Sequence, residues 1–140
     1  MLEQSLLLKD HLLKAYAQNA FVNLLKMEIV ELDTCLSKLS MPVTEGMHTN
    51  LYHMAHGGAL ASLADTAMGM ACATTGKKVV TLDMNLNFIR AAECQEALLA
   101  VGTVIHDGNK TMVAEADILD GRQNLIAKAR GTFFVTGTFL

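Results

Sequence analysis

One carboxylate in the middle of an apolar stretch constrains this chain more than any other feature. From Met54 to Thr75 the sequence is largely Ala, Gly, Ser and Thr among Leu and Met, with Asp65 at its centre. Between Glu45 and Lys77 it is the only carboxylate or permanently charged side chain. A membrane span is a poor reading, because a central Asp opposes insertion by about 3 kcal/mol and the small residues add little drive. A buried helix over roughly 57–75 is expected instead, stopped by Gly76 and followed by Lys77 and Lys78 at its negative end. A carboxylate inside such a helix is costly unless paired or hydrogen-bonded. Asp65 is therefore either satisfied structurally, by Ser62, Thr66 or a backbone donor, or kept for chemistry.

With 140 residues, 51% of them hydrophobic and 18% charged, the chain makes one domain, 1–140, with its own core. This composition is far from that of a disordered segment. A net charge of −3 with no Lys/Arg run argues against a nucleic-acid partner. Cys35, Cys72 and Cys94 are odd in number and form no CxxC, so reduced thiols of a cytoplasmic protein are expected rather than a disulfide framework. The run MLEQSLLLKDHLLKAY has neither a basic start nor an uninterrupted apolar core, and no secretory signal is expected there.

Apolar residues at three- and four-residue spacings predict an amphipathic helix over residues 5–26. Short strands follow at 28–33 and 35–43, where Pro42 calls for an edge or a strand end. A His-rich polar loop, Thr44 to Ala55, leads into the central helix. Beyond it Val80, Leu82, Met84, Leu86 and Phe88 alternate with Thr81, Asp83, Asn85 and Asn87, a period of two that predicts one apolar and one polar strand face. That polar row either faces water or, through Thr81 or Asn85, meets a site or a dimer seam. Strands at Leu98–His106, Thr111–Leu119 and Leu125–Val135 are separated by turn signals at 107–110 and 120–123. Closing the last hairpin there sets Asp117 against Lys128 and Glu115 against Arg130, opposite charges across the strands. The order predicts an α+β fold: a helix, two strands, a central helix, then a four-strand meander, in one antiparallel sheet.

His56-Gly57-Gly58 opens the central helix. Glycines there either allow tight loop-to-helix packing or let a ligand approach backbone N–H groups at the positive end of the dipole, where a carbonyl can be polarised. Gly58 and Asp65 are seven residues apart, about 10 Å along a helix. One carbonyl cannot touch both, so a substrate using both ends needs a second copy of the helix. His48, His53 and His56 match no usual zinc spacing. No GxSxG, P-loop or GxGxxG motif is present.

The run Asn50-x5-His56-Gly57-Gly58-Ala-Leu-Ala-Ser-Leu-Ala-Asp65-Thr66-Ala67, with Val80-Thr-Leu-Asp-Met-Asn-Leu-Asn-Phe-Ile-Arg90 after it, resembles the hotdog-fold acyl-CoA thioesterases, and within them the PaaI-like, phenylacetate-degradation subgroup. The likeness spans about residues 15–136. It implies a hotdog fold, an antiparallel sheet wrapped around a long central helix with an N-terminal helix added, acting as a homodimer with sites at the interface and further as a homotetramer. It implies hydrolysis of acyl-CoA with Asp65 as nucleophile or general base, Gly57 supplying the polarising amide, and Asn50 and His56 completing the catalytic set. Gly58, Thr66, Thr81 and Arg90 would face substrate, with no metal or other cofactor and no membrane or nucleic-acid partner. An acyl-CoA-binding module without turnover, or a hotdog dehydratase or hydratase using His56, are the rival readings. CoA is strongly anionic, and Arg90, Lys110 and Arg130 are candidate cations for it, although solvation or cross-strand pairing explains them equally well. Two positions depart from the family pattern: His53 stands where glycine is usual, and Ala91 where proline is.

Overall fold

The computed structural model describes residues 2–139. Two helices come first, α1 (Leu2–Ala17) and α2 (Ala20–Leu24), where periodicity alone predicted one. Two asparagines make the break. The Asn19 side chain caps α2 by accepting the Val22 N–H at 3.1 Å, and Asn23 Nδ2 donates to the Ala17 carbonyl at 3.0 Å. Both satisfy groups at helix ends, positions that asparagine favours over a helix interior. Of α1, Leu12 is buried, and Leu8 and Tyr16 pack partly on the core.

The remaining elements are β1 (Glu28–Asp33), β2 (Leu36–Pro42), α3 (Gly57–Ala73), β3 (Lys77–Phe88), β4 (Ala97–Asp107), β5 (Thr111–Leu119) and β6 (Leu125–Thr138). All strands pair antiparallel in one sheet ordered β1-β2-β4-β5-β6-β3. The α+β class is as expected, and with α3 packed across β2 through β6 the architecture is the hotdog fold. Pro42 closes β2, as a residue without an N–H should. The last hairpin has the register that its charges required: Lys128 reaches Asp117 at 2.8 Å and Arg130 reaches Glu115 at 2.7 Å.

The four-strand meander is corrected. Only β4, β5 and β6 follow one another; β3 lies beyond β6 at the sheet edge, and β4 joins β2. The segment 89–96 carries the chain from one side of the sheet to the other. Ile89 and Arg90 N–H donate to the Ile126 carbonyl, and Val43 exchanges backbone bonds with Gln95 and Glu96.

The single apolar face of β3 is corrected too. Thr81 pairs with Phe133 and Asp83 with Thr132, two steps on β3 against one on β6. Leu82 is the extra residue of a β-bulge, which exchanges the faces of the strand. Val79 packs on the core before the bulge, Met84 and Leu86 after it. Val80 and Leu82 point outward, 53% and 57% exposed.

Small residues let α3 lie close to the sheet: Ala64 and Ala67 on the helix and Ala100, Gly102 and Ala114 on the strands are all buried, and Gly102 lies directly under Ala67. Ser37 Oγ donates to the Ala67 carbonyl at 2.6 Å. A β-carbon on Gly102 would strike the Ala67 carbonyl oxygen and come within 2.9 Å of Ser37 Oγ. Helix backbone cannot yield as a flexible side chain does. Gly102→Ala is therefore expected to cost about 3 kcal/mol, the upper range for overpacking, in urea unfolding. Gly121→Ala, where an added β-carbon meets nothing within 4 Å, should leave the midpoint nearly unmoved.

Candidate active site

Asp65 is half-buried rather than buried. The sheet covers one side of α3 and leaves Ser62, Asp65, Thr66 and Gly69 partly open, a stripe at helical spacing. Neither hydroxyl proposed to satisfy the carboxylate does so. Ser62 Oγ donates to the Gly58 carbonyl at 2.8 Å and Thr66 Oγ1 to the Ser62 carbonyl at 2.7 Å. The donor is Thr81, whose Oγ1 bonds Asp65 Oδ1 at 2.6 Å. Thr81 is itself exposed, but the bulge at Leu82 turns it to the helix and sets Asp83, Asn85 and Asn87 on the other face of the strand. Asp65, Thr66 and Thr81 line a cleft of about 320 Å³ with Tyr16, Phe21 and Phe133 among its walls. Burial, with Cys72 and Asp65 adding to it, pushes the Tyr16 phenol up to about 12.

At the start of α3, His56 is the cap. Its Nδ1 accepts the Gly58 N–H at 2.9 Å, so the Gly58 amide is engaged within the chain. The Gly57 N–H has no acceptor among the described residues. A β-carbon at Gly57 would lie 3.1 Å from Phe88 Cζ, so glycine lets the ring close over the helix start. Gly57, Phe88 and Arg90 border a second cleft, and Arg90 makes no ion pair among the described residues. Arg130, another candidate cation, is bonded to Glu115. Asn50 Oδ1 accepts the N–H groups of Tyr52 and Met54 at 2.8 and 3.1 Å, which shapes the loop and leaves its amide NH2 without an acceptor among the described residues. Asn50 and His56 share a third depression.

The three histidines do separate work. His48 is fully buried, its Nδ1 accepting the Thr44 N–H at 3.0 Å and its Nε2 2.6 Å from the Leu25 carbonyl. Both contacts together require the neutral ring with the proton on Nε2. The His48 carbonyl then takes the His56 N–H at 2.7 Å, so this ring ties α2 to the residue that caps α3. His53, at a left-handed φ of 62°, pairs with Glu45 through Nδ1 at 2.8 Å. That bond holds the Glu45 carboxyl below the usual carboxylate range. Burial pushes the Cys72 thiol up to about 12.

The expected residues thus fall into separate groups: Asp65, Thr66 and Thr81 in one, Gly57 and Arg90 in another, Asn50 and His56 in a third. Asp65 and Gly57 are on one helix, about 12 Å apart along it, and open to different clefts. Tyr16 is the cleft residue that sequence reasoning passed over, because its place in an amphipathic helix marked it only as core.

The profile of the thioesterase superfamily matches residues 52–127. Acyl-coenzyme A thioesterase PaaI of Escherichia coli K12 is 33% identical over 116 residues, covering 83% of this chain and 82% of that protein. A solved structure of the E. coli PaaI protein from the phenylacetic acid degradation operon superposes with a TM-score of 0.85 at 30% identity, covering 91% of this chain and 92% of that one. A hypothetical thioesterase from Streptococcus pneumoniae TIGR4, solved with coenzyme A, gives 0.78 at 30% identity over 81% of this chain and 91% of that one.

His48→Ala strands the Leu25 carbonyl and the Thr44 N–H and opens a cavity. A loss of about 3 kcal/mol is expected in urea unfolding, with hydrogen exchange rising first in the loop ahead of α3.

Proposed function

The chain belongs to the thioesterase superfamily, and on that premise we propose that it hydrolyses acyl-coenzyme A thioesters to free acid and CoA, at sites shared between two copies. One observation carries the reading: a half-open carboxylate, Asp65, held by Thr81 at 2.6 Å, and an unclaimed helix-start amide, Gly57, lie too far apart on one helix to serve one carbonyl. In the shared site the Gly57 amide of one copy polarises the thioester carbonyl, and Asp65 of the other acts on its carbon. The carboxylate either attacks, giving an anhydride that water opens, or takes a proton from an attacking water. In both routes the C–S bond breaks and CoA leaves as the thiol.

The other residues follow from what is free. The Asn50 amide orients water or thioester. His56 fixes the helix start from which the Gly57 N–H points, and Gly58 gives room there rather than a hydrogen bond. Thr66 walls the Asp65 cleft, and Arg90, beside Gly57, meets the anionic CoA. A dimer is supported by β3 itself. It is a sheet-edge strand of 12 residues, with Val80, Leu82 and Phe88 each more than half exposed, as is Ile89 just past its end. An edge this long and apolar invites pairing with its own copy, and two dimers would complete a tetramer. Free thiols at Cys35, Cys72 and Cys94 suit a cytoplasmic enzyme. Among the described residues no helix is long and apolar enough to cross a membrane.

Asp65→Asn keeps the shape and removes the base. CoA release from a panel of acyl-CoAs is expected to fall by at least about 10²–10³-fold, as when a transition-state contact is lost, with the melting temperature little changed. CoA should be quantified by chromatography, because the protein's own thiols react with thiol dyes. Wild-type binding of the panel with no CoA released would overturn hydrolysis and leave a binding module. Water addition to an enoyl-CoA would point to a hydratase.

A further inference from the structure

The cleft that holds Asp65 has a mixed lining, aromatic side chains interleaved with Asn19, Thr66, Lys78 and Thr81. Of the five Phe and two Tyr in the chain, Tyr16, Phe21, Phe133 and Phe139 line it. The aromatic part of that lining suits the acyl side of a thioester. Most polar side chains in the cleft already have partners. Thr66 is bonded to its own helix, Thr81 to Asp65, and the Asn19 oxygen to Val22 N–H. Lys78 lies against the Phe139 ring, 5.5 Å from its centroid.

The Tyr16 hydroxyl has no hydrogen-bond partner among the described residues, although the residue is half-buried and faces this cleft. Its oxygen is not sealed from solvent, so a ligand oxygen in the cleft would take the place of water there. Burial pushes its ionisation up to about 12, so it remains a donor at any working pH. Tyr16, Asn19 and Phe21 also lie outside the part of the chain that the superfamily profile matches, 52–127.

We propose that Tyr16 is a specificity-determining residue whose hydroxyl donates a hydrogen bond to an oxygen on the acyl group, so that oxygenated acyl chains are preferred over plain hydrocarbon ones. This rests on the reading that the Asp65 cleft receives an acyl thioester. A donor with no other partner discriminates because the analogue lacking the oxygen leaves it unpaired.

The test compares kcat/KM for octanoyl-CoA with that for hydroxyoctanoyl-CoAs whose hydroxyl is stepped along the chain, in wild type and Tyr16→Phe. Wild type is expected to favour at least one positional isomer about tenfold, and the variant to bring that ratio close to one. The substitution removes only the oxygen, and turnover of octanoyl-CoA by the variant reports that it is folded. A ratio that survives in Tyr16→Phe, or a wild type that hydrolyses all these substrates without preference, overturns the Tyr16 assignment alone. No CoA release from any of them overturns the thioesterase reading with it.

Discussion

The contact on which the site depends is the one where the Ala67 carbonyl of α3 lies over Gly102 of β4 and takes the Ser37 hydroxyl bond. A helix on a sheet can roll about its axis unless something fixes it. Here a backbone carbonyl is held by a side chain from β2 while the space beneath it admits no β-carbon. With Ala67 pinned downward, residues two before and two after it are turned about 200° away at 100° per residue. Those residues are Asp65 and Gly69, two of the four on the stripe that the sheet leaves partly open. The exposure of the carboxylate is thus a consequence of packing on the opposite side of the helix.

Much of this was legible in the sequence because it is written in local rules. The hairpin register followed from two pairs of opposite charges, and both pairs are formed. The central helix followed from its small residues and lone carboxylate, and its start from a histidine and two glycines. The parts that were not legible depend on partners remote in sequence. Val80 to Phe88 alternates without a flaw, yet the bulge at Leu82 breaks the face, since its cause is the pairing with β6. Nothing in that run of residues records it. The break at Asn19 was readable in principle, for asparagine is a capping residue, but the apolar spacing ran straight through it. Strand order was lost for a similar reason: the excursion of 89–96 is set by bonds to Val43 and Ile126.

The loop ahead of α3 shows how residue type underdetermines role. Three histidines within nine residues suggest a common task, and the fold gives each a different one. His48 is an internal brace, His53 a surface partner for Glu45, and His56 a helix cap. What separates them is burial and what each Nδ1 meets: the Thr44 N–H, the Glu45 carboxylate or the Gly58 N–H. Asn50 is likewise divided within one side chain, its oxygen engaged by the loop and its nitrogen left over. A group that supports its own loop with one atom and presents another is held in place by the structure it helps to build.

The bulge in β3 has a thermodynamic consequence. Over three successive residues the strand shows Val80 and Leu82 to the outside and Thr81 to Asp65. The backbone that orders one side is the backbone that orders the other. Whatever covers the outer pair restrains the torsions that aim the threonine hydroxyl, and by reciprocity a carboxylate held firmly by that hydroxyl favours the covered state. A partner at this edge would share one equilibrium with the readiness of the carboxylate, viewed from two faces of a single strand.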